Sequence, residues 1–244
     1  MYSEISEVYD TLMADADYDN RFKIIENLFL KYDRKPKLLL DVACGTGEFS
    51  RRFAKSGASV IGVDISDEML SEAMQKSSGE DVLYLCQDMK SLDLYGTVDG
   101  AVCCLDSFNH LESYKDFCQA LKSISLFLER ERLLIFDLNT PYKHKKVLGD
   151  NIFIKQGKNV YCVWQNEYER KHSRVNITLD LFINKGELYE RRQENFSEIA
   201  FGKAQVKSAL ARAGFRIVDM LDENGNNAPT GKSERIIFVA RKVK

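Results

Sequence analysis

The sequence predicts an α/β fold in which helices cover both faces of a mostly parallel sheet, with an antiparallel β-meander inserted into it. Strand-length apolar runs alternate with helical segments through the first 140 residues, and this alternation stops at Pro141. The runs are apolar on both faces, which is typical of parallel strands that lie between two layers of helices. The predicted strands are 37–42, 59–64, 82–86, 98–104 and 132–138.

Helical segments fill the gaps between these strands. Phe49 and Phe53 lie one turn apart in a segment that ends at Gly57, a residue suited to the position after a helix. The next helix is predicted to begin after Ser66, whose hydroxyl can cap the first turn. A third segment, 113–129, places four large apolar side chains on one face: Phe117, Leu121, Ile124 and Leu128. Together these segments predict a doubly wound sheet.

The pattern changes after Pro141. Three strands are predicted, at 159–169, 174–184 and 187–198, with a turn at Lys185-Gly186 and another in the polar RKHSR stretch. These strands form a meander rather than further βα units.

The βα pattern returns near residue 202, with a helix that ends at Gly214. Two strands follow, 215–221 and 234–243, and no helix separates them, so they are predicted to run antiparallel. We therefore expect one domain formed by residues 1–140 and 202–244, with residues 141–201 inserted as a β-rich lid.

The composition excludes several classes of protein. The 244 residues are 44% hydrophobic and 30% charged, with a formal net charge of -2, so no strong field attracts nucleic acid or anionic lipid. No apolar run is long enough to span a membrane, and the acidic N-terminus lacks the basic region of a secretory signal. We expect a cytoplasmic protein with no membrane or nucleic-acid partner.

The cysteine pattern fits the same compartment. None of the six cysteines forms a C-x-x-C pair, and only three histidines could help them to bind a metal. We expect buried free thiols and no metal site. The cysteines are Cys44, Cys86, Cys103, Cys104, Cys118 and Cys162.

The glycine turn in LLLDVACGTGEFS, residues 38–50, follows the first strand and precedes a helix, the context in which α/β proteins bind nucleotides. A dinucleotide fingerprint needs a third glycine where Ser50 stands, and a P-loop needs a lysine after Gly47. Neither pattern is complete. The turn still lets a ligand approach the backbone at Gly45 and Gly47, which favours a nucleoside without phosphates, such as S-adenosylmethionine.

Acidic residues end the first three strands. Asp64 can accept both ribose hydroxyls of a nucleoside, and Asp88 can accept the adenine amine while Met89 lies along the ring. With Asp41, these residues would bracket one adenosine. The alternative for each aspartate is a helix-capping or turn residue.

These residues resemble the motifs of the class I S-adenosylmethionine-dependent methyltransferases, and the resemblance covers nearly the whole chain. It implies a seven-stranded sheet with the last strand antiparallel and S-adenosylmethionine as cofactor. It places the methionine end near Asp41, Ala43 and Gly45 and the ribose at Asp64, and it puts Ala43 where the motif usually has its first glycine. The adenine would lie against Ile65, Asp88 and Met89, and Leu105 would lie behind the methyl group.

The N-terminal segment resembles that of a subgroup of small-molecule methyltransferases, which includes amino-sugar N-methyltransferases. In this subgroup a helical segment covers the cofactor, so Tyr2, Tyr9 and Tyr18 are predicted to cap it. The alternative for each tyrosine is ordinary packing.

The reaction needs few protein groups, because the cofactor carries its own leaving group and the protein has to align the acceptor in line with the methyl and exclude water. After the fourth strand, Asp106 and His110 are candidate catalytic residues, with His110 either a base or a positioning residue. Asn139, after the fifth strand, and Trp164, in the lid, are candidates for contacting the acceptor. We expect a small polar acceptor, with an amine nitrogen as the first choice. An RNA methyltransferase and a non-catalytic S-adenosylmethionine-binding protein are the alternatives.

Overall fold

The protein is described here by a computed structural model over residues 6–244. Tyr2, predicted to help cap the cofactor, lies outside the described residues. The strands are β1 Leu38–Val42, β2 Ser59–Asp64, β3 Val82–Cys86, β4 Gly100–Cys103, β5 Leu133–Asn139, β6 Ile152–Gln156, β7 Val160–Glu169, β8 Arg174–Asn184, β9 Tyr189–Ile199, β10 Phe215–Asp222 and β11 Arg235–Lys242. The helices are α1 Tyr9–Leu12, α2 Tyr18–Tyr32, α3 Glu48–Lys55, α4 Asp67–Lys76, α5 Tyr114–Phe127, α6 Pro141–Lys143 and α7 Lys203–Arg212.

Seven strands form the main sheet in the order β10-β11-β5-β4-β1-β2-β3. Neighbouring strands from β1 to β5 pair in parallel, whereas β11 pairs antiparallel with both β5 and β10. The predicted fold class is confirmed, including the antiparallel last strand. Because β1, β2, β3, β4 and β5 run the same way, their carboxyl ends meet at one edge of the sheet, where ligands bind in open α/β sheets.

The two faces of the sheet are covered by different helices. Alternation along β1 sends Leu40 toward α5 and α7, and Leu39 toward α2 and α3. The predicted apolar face of α5 is fully buried. At the sheet edge, β3 departs from the expectation of burial on both faces, since Leu83 is 57% exposed.

Local signals in the sequence fix several element ends. Ser66 caps α4 through a bond from Met69 N to its hydroxyl, and Gly57 and Gly214 follow their helices with φ of 95° and 85°. Pro141 was predicted to end the main pattern. It begins α6, whose first turn Thr140 caps, and a π-helical stretch, His144–Leu148, follows directly.

The second sheet has four antiparallel strands, β6-β7-β8-β9, one more than predicted. Strand β6 is five residues long, pairs with β7 alone among the described strands, and leaves Ile152 and Ile154 exposed. The other face of this sheet is apolar and packs on Leu12 of α1 and Met69 of α4. The sheet therefore stands over the edge where the parallel strands end.

All six cysteines are free thiols; Cys103, Cys104 and Cys162 are buried as predicted, whereas Cys44 and Cys118 are half-buried and Cys86 is exposed. None of the helices described is both long and apolar enough to cross a membrane.

Candidate active site

A cavity of about 220 Å³ lies over the carboxyl ends of β1, β2 and β4. Its lining includes ten of the eleven described residues predicted to bind the cofactor, together with His110. These ten are Tyr9, Tyr18, Asp41, Ala43, Gly45, Asp64, Ile65, Asp88, Met89 and Leu105.

Gly47 is the predicted cofactor residue that does not line the cavity. Its φ is 78°, and a Cβ at this position would collide with the Tyr84 hydroxyl. Backbone conformation and packing are therefore each sufficient to require a glycine here. Ala43 also has a left-handed backbone, with φ of 55°, at the place where the motif usually has its first glycine.

Ser50 occupies the position of the third glycine and has a structural role there. Its hydroxyl donates to Asp41 Oδ2 at 2.6 Å, and both side chains are buried. Burial raises the pKa of Asp41 to about 7, and the negative charge of Asp64 adds to the effect, while the Ser50 bond opposes it. A half-protonated carboxyl thus faces the cavity at neutral pH.

Asp64 joins two backbone turns. Its Oδ2 accepts from Gly45 N at 2.8 Å, and its Oδ1 accepts from Ser66 N at 3.0 Å. Asp88 accepts from Lys90 N at 2.8 Å and so caps the short 3₁₀ turn at Met89–Ser91. Both carboxylates therefore fulfil the turn roles considered above, and both also line the cavity.

The N-terminal segment is held onto the glycine turn. Asp10 accepts from the Thr46 hydroxyl at 2.6 Å and pairs with Lys76 at 2.8 Å. These contacts place Tyr9 against the cavity, while Tyr18 meets Phe49 edge to face at 5.6 Å. Burial raises the pKa of Tyr9 well above its ordinary value, so its hydroxyl stays neutral.

Two consecutive non-glycine residues after β4 have left-handed backbones, Leu105 at φ 55° and Asp106 at φ 53°. Such residues each cost roughly 1–2 kcal/mol unless surrounding contacts fix them. Here Asp137 accepts from Leu105 N at 2.8 Å and from Asp106 N at 3.0 Å. Arg235 pairs with both Asp106 and Asp137. This bonding holds the turn in place between the cavity and β5.

The same polar network reaches the second sheet through Asn139. Its Nδ2 donates to Asp106 Oδ2 at 2.7 Å and to Glu198 Oε2 at 3.0 Å, and Glu198 also bonds buried His144 at 3.2 Å. Lys143 donates to Asn139 Oδ1 at 2.9 Å. Asn139 was expected to contact the acceptor, but it is 2% exposed and lies behind Asp106.

The charges in this network set two carboxyl pKa values. Burial raises the pKa of Asp106, but the positive charges of Arg235 and Lys143 outweigh it, so the pKa lies well below its usual range. Burial also acts on Glu198, where the bond from His144 is the larger of the opposing effects and the net pKa is lowered. Both side chains are therefore carboxylates at neutral pH.

A second cavity, of about 100 Å³, lies between the turn after β4 and the apolar face of the second sheet. Tyr9, Leu105 and His110 line both cavities, so the two meet at these residues. Trp164 lines the second cavity, and its Nε1 donates to Asn166 Oδ1 at 2.7 Å. The remaining lining residues are Leu12, Met13, Asp106, Lys155, Cys162, Leu179, Phe196 and Glu198.

Sequence reasoning did not find Arg235, Glu198 or Lys155. Arg235 comes directly before the apolar residues 236–240 of β11, and a charged residue next to such a run was the available signal. Glu198 lies in a strand rich in charged residues, so nothing distinguished it, and Lys155 lies in a segment for which the sequence predicted no strand.

Asp106, His110 and Glu198 bring side-chain ligand atoms within 4.8 Å of one another. Three such groups could hold a metal ion. However, Asp106 already bonds Arg235 and Asn139, and Glu198 bonds His144 and Asn139. Protein donors thus already occupy several of the carboxylate lone pairs that a metal ion would need, which favours a role in orienting a polar ligand.

Replacing Arg235 by Met should destabilise the protein by about 3–5 kcal/mol, because two buried carboxylates would lose their counter-charge. Arg216→Met is the matched control, since Arg216 is exposed on neighbouring β10 and its loss should cost under about 0.5 kcal/mol. Denaturant unfolding measures both. Adding Asp106→Asn to Arg235→Met should recover part of the loss, and strictly additive effects would contradict the coupling.

The raised pKa of Asp41 predicts a pH dependence of stability in the protein without cofactor. The folded state holds this proton up to about pH 7, whereas an unfolded aspartate releases it near pH 4, so stability falls as pH rises between these values. Asp41→Asn keeps an acceptor for Ser50 and removes the titration. Its stability relative to wild type should grow by up to about 4 kcal/mol from pH 4 to 7.5. A constant difference would exclude the raised pKa.

Comparison with known proteins identifies the family. Residues 39–130 match the model of a methyltransferase domain. A Bacillus subtilis (strain 168) protein named as a methyltransferase, YqeM, is 35% identical over 246 aligned residues, covering 100% of this chain and 98% of its own. A dTDP-3-amino-3,6-dideoxy-alpha-D-glucopyranose N,N-dimethyltransferase of Streptomyces fradiae is 31% identical over 49% of this chain and 47% of its own.

A solved structure extends the likeness to the whole fold. The crystal structure of an S-adenosylmethionine-dependent methyltransferase from Clostridium acetobutylicum ATCC 824 superposes with a TM-score of 0.88 at 30% identity, covering 100% of this chain and 99% of that one. The chain therefore belongs to the S-adenosylmethionine-dependent methyltransferases (EC 2.1.1), and S-adenosylmethionine is its cofactor.

Proposed function

We propose that this enzyme transfers the methyl group of S-adenosylmethionine to an amine nitrogen of a small polar acceptor. The observation that carries the proposal is the junction of two cavities at Tyr9, Leu105 and His110. In this arrangement the larger cavity holds the cofactor and the smaller one holds the acceptor. The methyl group would then pass between them beside Leu105.

The groups that line the larger cavity fit this cofactor. Asp41 offers a buried carboxyl to the ammonium of the methionine end, beside the open backbone of Ala43 and Gly45. Asp64 would accept the ribose hydroxyls, in addition to its two backbone bonds. Ile65, Asp88 and Met89 would hold the adenine. Tyr9 and Tyr18 would cover the cofactor. Gly47 supports the turn without touching the ligand.

When bound, S-adenosylmethionine supplies a methyl group on a positively charged sulfur that leaves as a neutral thioether. The protein then has to align the acceptor in line with that methyl and exclude water. Leu105, fixed by the bonds from its backbone to Asp137, would set the position of the reacting end. Residues 141–201, which include Trp164, would form the lid over the acceptor.

The amine preference rests on the polar end of the smaller cavity. Asp106 and Glu198 are both ionised there, so an ammonium is attracted to them. A nitrogen attacks only after losing a proton, and His110, which lines both cavities, is placed to accept it. Asn139 would act as a positioning residue behind Asp106. The Streptomyces fradiae relative is named for methylating an amino sugar, which agrees with this choice.

An RNA acceptor is less compatible with this geometry. The smaller cavity measures about 100 Å³, room for on the order of ten non-hydrogen atoms, and the chain carries a net charge of -2. A polyanion would gain no long-range attraction to such a surface.

Asp64→Ala should weaken S-adenosylmethionine binding by about 30- to 1,000-fold, equivalent to roughly 2–4 kcal/mol for two charge-assisted hydrogen bonds. Calorimetric titration measures the affinity, and denaturant unfolding without cofactor shows how far the lost Gly45 and Ser66 bonds disturb the fold. Gln87→Ala, at a cavity residue given no ligand role, is the control. Unchanged affinity in Asp64→Ala would remove Asp64 from the ribose site.

The acceptor is tested by incubating the enzyme with methyl-labelled cofactor and, separately, a cellular metabolite pool and total RNA. We expect label on small amines. Trp164→Ala should reduce that transfer at least tenfold while changing cofactor affinity less than twofold, because Trp164 lines only the acceptor cavity. Labelled RNA without labelled metabolite would instead support an RNA methyltransferase, and cofactor binding without any transfer would support a non-catalytic protein.

A further inference from the structure

The smaller cavity carries opposite charges on opposite sides. Glu198 lies on β9, the last strand of the second sheet, and Lys155 lies on β6, the first strand. Cross-strand pairing puts Lys155 on the same face of the sheet as Cys162, Leu181, Arg192 and therefore Glu198. Lys155 is in register with Arg192, which precedes Glu198 on β9, so Lys155 and Glu198 are about 14 Å apart across the sheet and are offset by a further ~20 Å along the strands. The cavity thus has a negative side next to the cofactor and a positive side remote from it.

The middle of this cavity is apolar. Trp164 and Leu179 line it from β7 and β8, and Leu12 and Met13 line it from the N-terminal segment. A charged group left among these side chains without a partner would be strongly disfavoured. The polar groups of an acceptor therefore have to lie at one side or the other.

Lys155 can exchange its present partners for a ligand. Its Nζ donates to Leu12 O at 2.8 Å and pairs with Asp15 at 3.2 Å. The Asp15 side chain is 75% exposed, and pairs of that kind contribute little. An ammonium has three donors, and Nζ also lies 5.8 Å from the centre of the Trp164 ring, at the wall of the cavity. An anion could therefore bind Lys155 without breaking a strong contact.

We propose that the acceptor is an amine that also carries an anionic oxygen group, a carboxylate or a phosphate, and that Lys155 binds that group. This inference rests on the proposed function of the site. The amine lies beside Asp106 and Glu198, next to the cofactor, and the anionic group lies across the apolar middle at Lys155. Lys155 thus selects acceptors by charge and does not take part in the methyl transfer.

The competing explanation is that Lys155 has only a structural role and holds β6 against the N-terminal segment. Asp15→Asn separates the two explanations, because it removes the ion pair between Asp15 and Lys155 and leaves the lysine charge in place. Lys155→Gln removes the charge, and Lys155→Arg keeps it. Neither Asp15 nor Lys155 lines the cofactor cavity, so cofactor affinity should stay unchanged in all three variants.

The experiment uses the full chain, methyl-labelled S-adenosylmethionine and a small-molecule metabolite pool. The labelled product should carry its label on nitrogen and be retained on an anion exchanger at a pH where its amine is neutral. Over serial dilutions of the pool, Lys155→Gln should raise the apparent KM for this product about tenfold or more, with the rate at saturation largely retained, as expected for a lost charge-assisted bond. Lys155→Arg and Asp15→Asn should stay within about twofold of wild type. Phosphatase treatment of the pool beforehand distinguishes a phosphate, whose product disappears, from a carboxylate.

Three outcomes would overturn the inference. A labelled amine without any acidic group would refute it and leave the proposed amine methylation standing. An equal rise in the apparent KM in Asp15→Asn and Lys155→Gln would show that Lys155 has only a structural role. Label on oxygen or on RNA, with none on a small amine, would overturn the proposed function and the inference together.

Discussion

Arg235 holds two buried carboxylates together where β4 and β5 end, and the rest of the site depends on this contact. Asp137 accepts from the backbone of Leu105 and Asp106, and Arg235 neutralises Asp137 and Asp106 at once. Without this counter-charge, two left-handed residues in succession would have little to fix them. Because Leu105 lines both cavities, the position of this turn sets how the two cavities meet.

The antiparallel last strand acquires a chemical role through this contact. Arg235 is the first residue of β11 and pairs opposite Asn139 of β5. From there the network continues through Asn139 to Glu198 on β9. One set of hydrogen bonds therefore links the main sheet, the turn after β4 and the second sheet. A structural change in any of the three affects the hydrogen bonds of the other two.

The N-terminal segment connects the same two cavities from the opposite side. Asp10 bonds Thr46 in the glycine turn, and Leu12 accepts from Lys155 of the second sheet. Tyr9, between them, lines both cavities. The short helical pieces over the site are thus held by polar contacts at each end and by the apolar cluster that Val8 and Leu12 form with the second sheet.

The sequence by itself determined the parallel sheet, the antiparallel terminal pair, the ends of α3, α4 and α7, and ten of the residues that line the larger cavity. The elements and the acidic cavity residues follow from local signals: apolar runs of strand length, capping residues, and acidic residues placed where parallel strands end. The family resemblance implied the other cavity residues. Residues with such signals lie together because the carboxyl ends of parallel strands always share one edge.

Only the tertiary structure determined which residues surround the smaller cavity, where the acceptor is proposed to bind. Pairings between segments far apart in the chain determine strand β6, the burial of Asn139 and the positions of Arg235, Glu198 and Lys155. The sequence around a charged residue in a strand does not indicate which residue it will contact. Gly47 shows the same limit within a motif. Its neighbour is Tyr84 on β3, and the spacing of residues in the turn does not predict that a Cβ at position 47 would collide with the Tyr84 hydroxyl.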